Sequence, residues 1–161
     1  MSAQIKIRLA HPDDAEQIGQ FIYDTIRTVN RKDYDQLQID AWAPDPDIYS
    51  TFEESFAYVA DLNGLIVGFA NLTAEGYLNR FYTHKDYQGQ GIGSLLLKTL
   101  EAKARTLNLK EMTTEASITA KPFFFAKGWS ILDQQTVVYR NVSFINFKMH
   151  KILECFDYDP A

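Results

Sequence analysis

The spacing of apolar and polar residues changes several times along this chain, and each change marks an element. Residues 5–10, IKIRLA, alternate and predict a strand. HPDDAEQIGQFIYDTIRTVN follows, with Pro12 and two acids at the start of a helix whose Ile18, Phe21, Ile22, Ile26 and Val29 share one face. Residues 31–54 are mixed: DQLQIDAWA suits a short helix, and PDPD at 44–47 a break. FAYVADLNGLIVGFANLTAE is a hairpin pattern, two β-rich runs around Asn63-Gly64. GYLNRFYTH, 76–84, reads as a further strand. IGSLLLKTLEAKARTLNL then places Leu96, Leu97, Leu100 and Leu107 near helical spacing. KEMTTEAS, 110–117, is a short strand, and ITAKPFFFAKGW a short helix closed by Gly128. TVVYRNVSFINFKMHKIL, 136–153, predicts two strands joined near Arg140–Ser143.

The strand–helix–strand unit over 76–116 makes its two strands parallel neighbours, whereas the remainder is rich in hairpins. The expected fold class is therefore α/β (α+β), a mixed, mostly antiparallel sheet flanked by helices. No repeat, low-complexity run or linker interrupts 1–161, so one domain is expected.

Composition narrows the function. With 161 residues, 46% hydrophobic and 23% charged, the chain matches a soluble globular protein. No apolar run is long enough to span a bilayer, and MSAQIKIRLAHPDD lacks the apolar stretch of a signal peptide. One cysteine, Cys155, excludes an internal disulfide and suits a reducing compartment, so the cytoplasm is expected. A net charge of −5 excludes whole-molecule attraction to nucleic acid or an anionic membrane. Any anionic ligand must be held by local geometry. His11, His84 and His150 form no ligand motif, so no metal is expected.

The candidate chemistry lies in YTHKDYQGQGIGSLLL, where Gly89, Gly91 and Gly93 alternate just ahead of a helix. Glycine costs helix stability but lets a backbone approach a ligand or take positive φ. A glycine turn between strand and helix exposes N–H groups at the positive end of the helix dipole, a site for phosphate or pyrophosphate. The P-loop pattern is absent. The dinucleotide pattern G-x-G-x-x-G almost fits from Gly89 but ends on Ser94, and the preceding strand is too polar.

The pattern Q-x-x-G-x-G, met by Gln88, Gly91 and Gly93, resembles the acyl-CoA signature of the GNAT superfamily of N-acetyltransferases. FYTHKDYQGQGIGSLLL is similar to that family's strand–loop–helix segment, ASITAKPFFFAKGW to its later aromatic–glycine segment, and VSFINFKMHKIL to the last strand of a bacterial subgroup. The opening IKIRLAHPDDAEQI also resembles the family's, while the helices between 12 and 54 match loosely. The resemblance implies acetyl-CoA as cosubstrate. The loop Gln88, Gly89, Gln90, Gly91, Ile92, Gly93 and Ser94 would then cradle the pyrophosphate. The strand at 76–83 would splay from that at 110–116, with pantetheine in the gap along Phe81, Tyr82 and Thr83. Ser117 and Phe124 complete the implied cofactor set.

Acetyl transfer to an amine needs a base, a carbonyl donor and an acid for the thiolate. The resemblance puts the donor at the backbone N–H near Tyr82 or Thr83, and the acid on a tyrosine of the short helix. Phe124 occupies that tyrosine position and has no proton to give. Tyr82, Tyr139 or solvent remain for the acid; Glu115 and Glu75 remain for the base, with His84 as a relay. Tyr82 and Glu115 are the two named catalytic candidates. Tyr77, Tyr82, Trp42, Asp45 and Asp47 are candidates to line an amine pocket. The expected function is N-acetyl transfer to a primary amine of a small molecule or protein by direct transfer in a ternary complex; oligomeric state is left open, a homodimer being one alternative because many of the family's members dimerise. Phe124 keeps a second reading open, a non-catalytic acyl-CoA-binding regulatory module.

Overall fold

Asn63 (φ 52°) and Gly64 (φ 94°) adopt the paired left-handed turn expected of them and join β2 (Phe56–Leu62) to β3 (Leu65–Leu72). A second such pair, Arg140 (φ 50°) and Asn141 (φ 65°), joins β6 (Ser130–Tyr139) to β7 (Val142–Ile152). The sixth strand begins at Ser130 rather than Thr136, because the mixed run SILDQQ pairs with β7 on either side of a bulge at Leu132 despite showing little alternation. In the computed structural model, which describes residues 4–52 and 55–154, these hairpins join β1 (Lys6–Leu9), β4 (Tyr77–Thr83) and β5 (Glu111–Ser117) in one sheet. Its order is β1-β2-β3-β4-β5-β7-β6, antiparallel throughout except at β4–β5.

Helices cover both faces. Residues 12–14 form a 3-10 turn capped by His11 before α1 (Ala15–Thr28), so the helix starts three residues later than Pro12 suggests. Ile18, Phe21, Ile22 and Ile26 of α1 pack with Ile39 of α2 (Gln36–Trp42) against Val59, Ile66 and Phe69. On the other face, α3 (Ile92–Thr106) and α4 (Lys121–Ala126) bury Ile92, Leu96, Leu97, Leu100 and Phe124 against Ala60, Ala70, Leu78 and Met112. Each large apolar side chain so buried contributes about 1.5–3 kcal/mol. Close approach is enforced at Gly68, where a Cβ would lie 2.8 Å from both Ile92 and Leu96.

The parallel pair is short. β4 and β5 are in register only at Tyr77↔Thr113 and Leu78↔Thr114. Immediately afterwards β4 carries a bulge: Asn71 opposes Arg80, Leu72 opposes Leu78, and Asn79 is left over. The buried Asn71 carboxamide holds it, its Oδ1 accepting the Arg80 N–H at 2.8 Å while Nδ2 donates to Ser55 Oγ at 3.2 Å. A bulge bends its strand and sharpens the twist. Past Asn79 the strand leaves β5, which opens the expected splay.

Removing this brace is a direct check. Asn71→Ala leaves the Arg80 N–H without its acceptor, and a lost buried partner costs roughly 1–3 kcal/mol. We expect urea unfolding to register that loss, and a loss below about 0.5 kcal/mol would show that the bulge does not depend on Asn71.

Candidate functional site

Strand alternation decides which backbone groups face the gap. His84 donates its N–H to Val67 at 2.8 Å, in register with the Tyr82↔Phe69 pair, so Tyr82 turns its N–H and C=O toward β3. Phe81 and Thr83, on the intervening positions, turn theirs toward β5. The donor facing the gap therefore belongs to Phe81 and Thr83, whereas the Tyr82 amide is spent on the sheet. Gln88 closes the loop from behind: its Nε2 donates to the Thr83 carbonyl at 2.5 Å and to that of His84 at 3.3 Å.

The loop then reaches α3 through Gly89 (φ 73°) and Gly91 (φ 83°), both left-handed, with nothing within 4 Å of a Cβ built on either. Gly91 is the N-cap residue of α3 and offers no side chain, so the first-turn N–H groups face outward uncapped. Gly93 differs. A Cβ there would sit 3.2 Å from the Phe123 ring, so this glycine serves packing beneath the loop.

A cavity of about 460 Å³ runs from this loop along the gap to α1 and α2. Phe81, Tyr82, Thr83, Gln88, Gly89, Gly91, Ile92, Gly93, Ser94, Ser117 and Phe124 border it, as does Glu115; Gln90 is exposed and does not. Phe124 is 2% exposed and packs among Phe81, Phe123 and Trp129 at 5.1–5.5 Å between ring centres, an apolar floor with no proton donor. Ser117 Oγ accepts the Ala120 N–H at 3.0 Å and shapes the turn into α4.

The alternative candidates fall elsewhere. His84 stacks on Phe21 (6.1 Å, 2° between planes) and its Nδ1 accepts the Asp86 N–H; it is half-buried rather than the exposed side chain its position beside Lys85 suggests. Asp45 caps the 3-10 turn at Pro46–Tyr49, and Asp45, Asp47, Glu75, Tyr77 and Tyr139 do not border the cavity. Cys155 lies outside the described residues. Thr25, Asn30, Arg80, Thr119, Phe123 and Lys127 border the cavity although nothing in the sequence assigned them a role there. Thr25 did carry a signal: it is the polar member of the apolar α1 stripe.

Charge in the cavity is sparse. Arg80 donates to the Thr51 and Ile48 carbonyls at 2.7 and 3.1 Å, and its guanidinium lies over the Tyr49 ring. Glu115 is exposed and has no ion pair within 4 Å among the described residues. Its charge helps to raise the Tyr77 phenol, an effect that follows burial in size. Burial pushes Tyr82 up to about 12, against the pull of a hydrogen bond with Trp42. Tyr34 is committed: its hydroxyl accepts the Ile118 N–H and donates to the Ile145 carbonyl, both at 2.9 Å. Among the described residues, no group of three or more His, Cys, Asp or Glu is placed to hold a metal, and no helix is long and apolar enough to cross a membrane.

Residues 30–151 match the family described as acetyltransferase (GNAT) domain. The chain belongs to the GNAT family of acetyltransferases. It is 34% identical over 149 residues to the uncharacterized N-acetyltransferase YafP of Escherichia coli K12, covering 90% of this chain and 94% of that protein. Among solved structures it resembles a GCN5-related N-acetyltransferase from Rhodopseudomonas palustris (TM-score 0.87, 28% identity, 95% of this chain and 99% of that one). It shares its fold with YncA from Salmonella typhimurium, solved with acetyl-CoA (TM-score 0.68, 18% identity, 95% and 96% covered).

As a GNAT protein the chain is an acetyl-CoA-dependent N-acetyltransferase, and a purely non-catalytic role is not favoured. The site suits that cosubstrate. Open space over two left-handed glycines, an uncapped helix N-terminus and unpaired strand edges supply donors for a polyanion without net positive charge.

Gly91→Trp tests the loop. An indole would fill the open space above the helix start, and the left-handed backbone would add strain of about 1–2 kcal/mol. Calorimetric affinity for acetyl-CoA should fall at least roughly 100-fold, about 2.8 kcal/mol, with the far-ultraviolet circular dichroism unchanged. Retained affinity would remove the loop from the binding site.

Proposed function

We propose that this acetyltransferase acts on a primary amine, of a small molecule or a protein, by direct transfer in a ternary complex. The observation that carries this is the continuity of one cavity from the uncapped glycine loop, across the β4–β5 gap, to the side chains of α1 and α2. Two ligands can thus approach one another from opposite faces of the sheet. The open space over Gly89 and Gly91 and the uncapped start of α3 support the loop side as the seat of acetyl-CoA.

Acetyl-CoA supplies the acyl group as an activated thioester. The amides of Gly91, Ile92, Gly93 and Ser94 would hold its phosphates, and those of Phe81 and Thr83 its pantetheine and carbonyl. Glu115 is the carboxylate bordering the gap. It takes the proton of the incoming ammonium, directly or through water, and leaves the nitrogen lone pair free to attack. Tyr82 remains a neutral phenol at neutral pH, because its pKa stands near 12. Burial makes this phenol a weaker acid than a free tyrosine, so Tyr82 serves as a hydrogen-bonding wall. The thiolate takes its proton from solvent, a tolerable course for so good a leaving group. A lone cysteine supports a reducing compartment, the cytoplasm.

Acetyl-CoA titration followed by product formation across an amine panel tests the reading as a whole. Within it, Glu115→Gln should lower kcat/KM by roughly 10²–10⁴ while leaving acetyl-CoA affinity intact. Unchanged turnover in that variant would take the base role away from Glu115.

A further inference from the structure

Thr25 occupies the buried face of α1, one turn beyond Phe21 and adjacent to Ile26, and is 3% exposed. Threonine in a helix ordinarily satisfies its hydroxyl on the carbonyl one turn back. Thr28 does so on Asp24 at 2.7 Å and Thr99 on Leu95 at 2.9 Å. Thr25 does not: its Oγ1 is buried with no hydrogen-bond partner, yet the residue borders the cavity. Buried polar atoms are almost always paired, and an orphan one lowers stability. The oxygen itself presents almost no surface to the cavity as it stands, so a turn about χ1 is what brings this unpaired hydroxyl to a ligand there. Around it on the α1–α2 side stand Val29, Asn30, Trp42 and Tyr82.

We infer that Thr25 determines acceptor specificity, its hydroxyl hydrogen-bonding a polar substituent carried by the amine. The acceptor class is a primary amine bearing a nearby hydroxyl or carbonyl oxygen, as opposed to a plain alkyl or arylalkyl amine. A site built around a hydrogen bond rejects the analogue that lacks it, because its own polar group then stays unpaired. This inference rests on the transferase reading above.

Two matched pairs of probes test it: ethylamine with ethanolamine, and 2-phenylethylamine with its β-hydroxy derivative. The wild type should favour the hydroxylated member of at least one pair by 10-fold or more in kcat/KM, mainly through KM. Thr25→Val, nearly isosteric, should abolish the preference, and Thr25→Ser should keep it. Because the hydroxyl has no partner within the protein, the Thr25→Val melting temperature should match or exceed that of the wild type. A wild type without preference, a preference that survives in Thr25→Val, or a lowered melting temperature would each overturn the assignment. Failure of the wild type to acetylate any of the four amines would overturn it as well. Acetyl-CoA titration of the same sample then separates the two failures: binding leaves the transferase reading standing, and no binding removes that too.

Discussion

One hydrogen bond, from the Arg80 amide to the buried carboxamide of Asn71, holds the residue surplus that separates β4 from β5. Without the extra residue at Asn79, the parallel ladder begun at Tyr77 and Leu78 could continue, and the strands would close over the cavity. A sheet normally pairs its backbone groups because burying them unpaired is costly. Here the cost is met by a ligand channel, and the strand edge exposed past the bulge is what gives the protein its donors. The helices on both faces keep the sheet rigid around this defect, with Gly68 letting α3 press close behind it.

The opening divides the labour between two kinds of chemistry. On the α3–α4 side the groups offered to a ligand are almost wholly backbone: left-handed glycines, an uncapped helix and strand amides. Such a site needs little side-chain charge, and so a chain of net charge −5 can hold a polyanion. On the α1–α2 side the cavity is walled by side chains, among them Thr25, Trp42, Tyr82 and Glu115. Backbone recognition is indifferent to most substitutions, whereas side-chain recognition changes with each one. A constant donor and a variable acceptor are what that division allows.

The same division explains what the sequence disclosed. Glycine positions, the Asn63-Gly64 turn and the helix after the loop are local, and each depends on residues within a few positions of one another. They were legible, and with them the fold and the cofactor end of the site. The bulge was not, because LNRFYT reads as ordinary strand and Asn79 becomes surplus only when Asn71 and Arg80 meet across β3–β4. Nor was the direction of the backbone donors, which depends on the β3–β4 register: it keeps Thr83 of the two expected positions, drops Tyr82 and adds Phe81. The early start of β6 was hidden for the opposite reason: a mostly exposed edge strand has little apolar periodicity to show.

Phe124 lies wholly on the α3–α4 side. It fills the place where a tyrosine would supply a proton and sits instead within an aromatic cluster with Phe81, Phe123 and Trp129. The cluster backs the glycine loop, since the Phe123 ring lies against Gly93. Apolar packing at this point stiffens the loop and the gap-facing amides of β4 that lie over it. A preorganised donor stabilises developing charge without reorganising during the reaction. In the reaction proposed above, rigid electrostatic stabilisation of the carbonyl would offset the missing acid, because a thiolate needs less help to leave than the amine needs to lose its proton. The demanding proton transfer of that proposal would fall on the acceptor side, where Glu115 borders the gap.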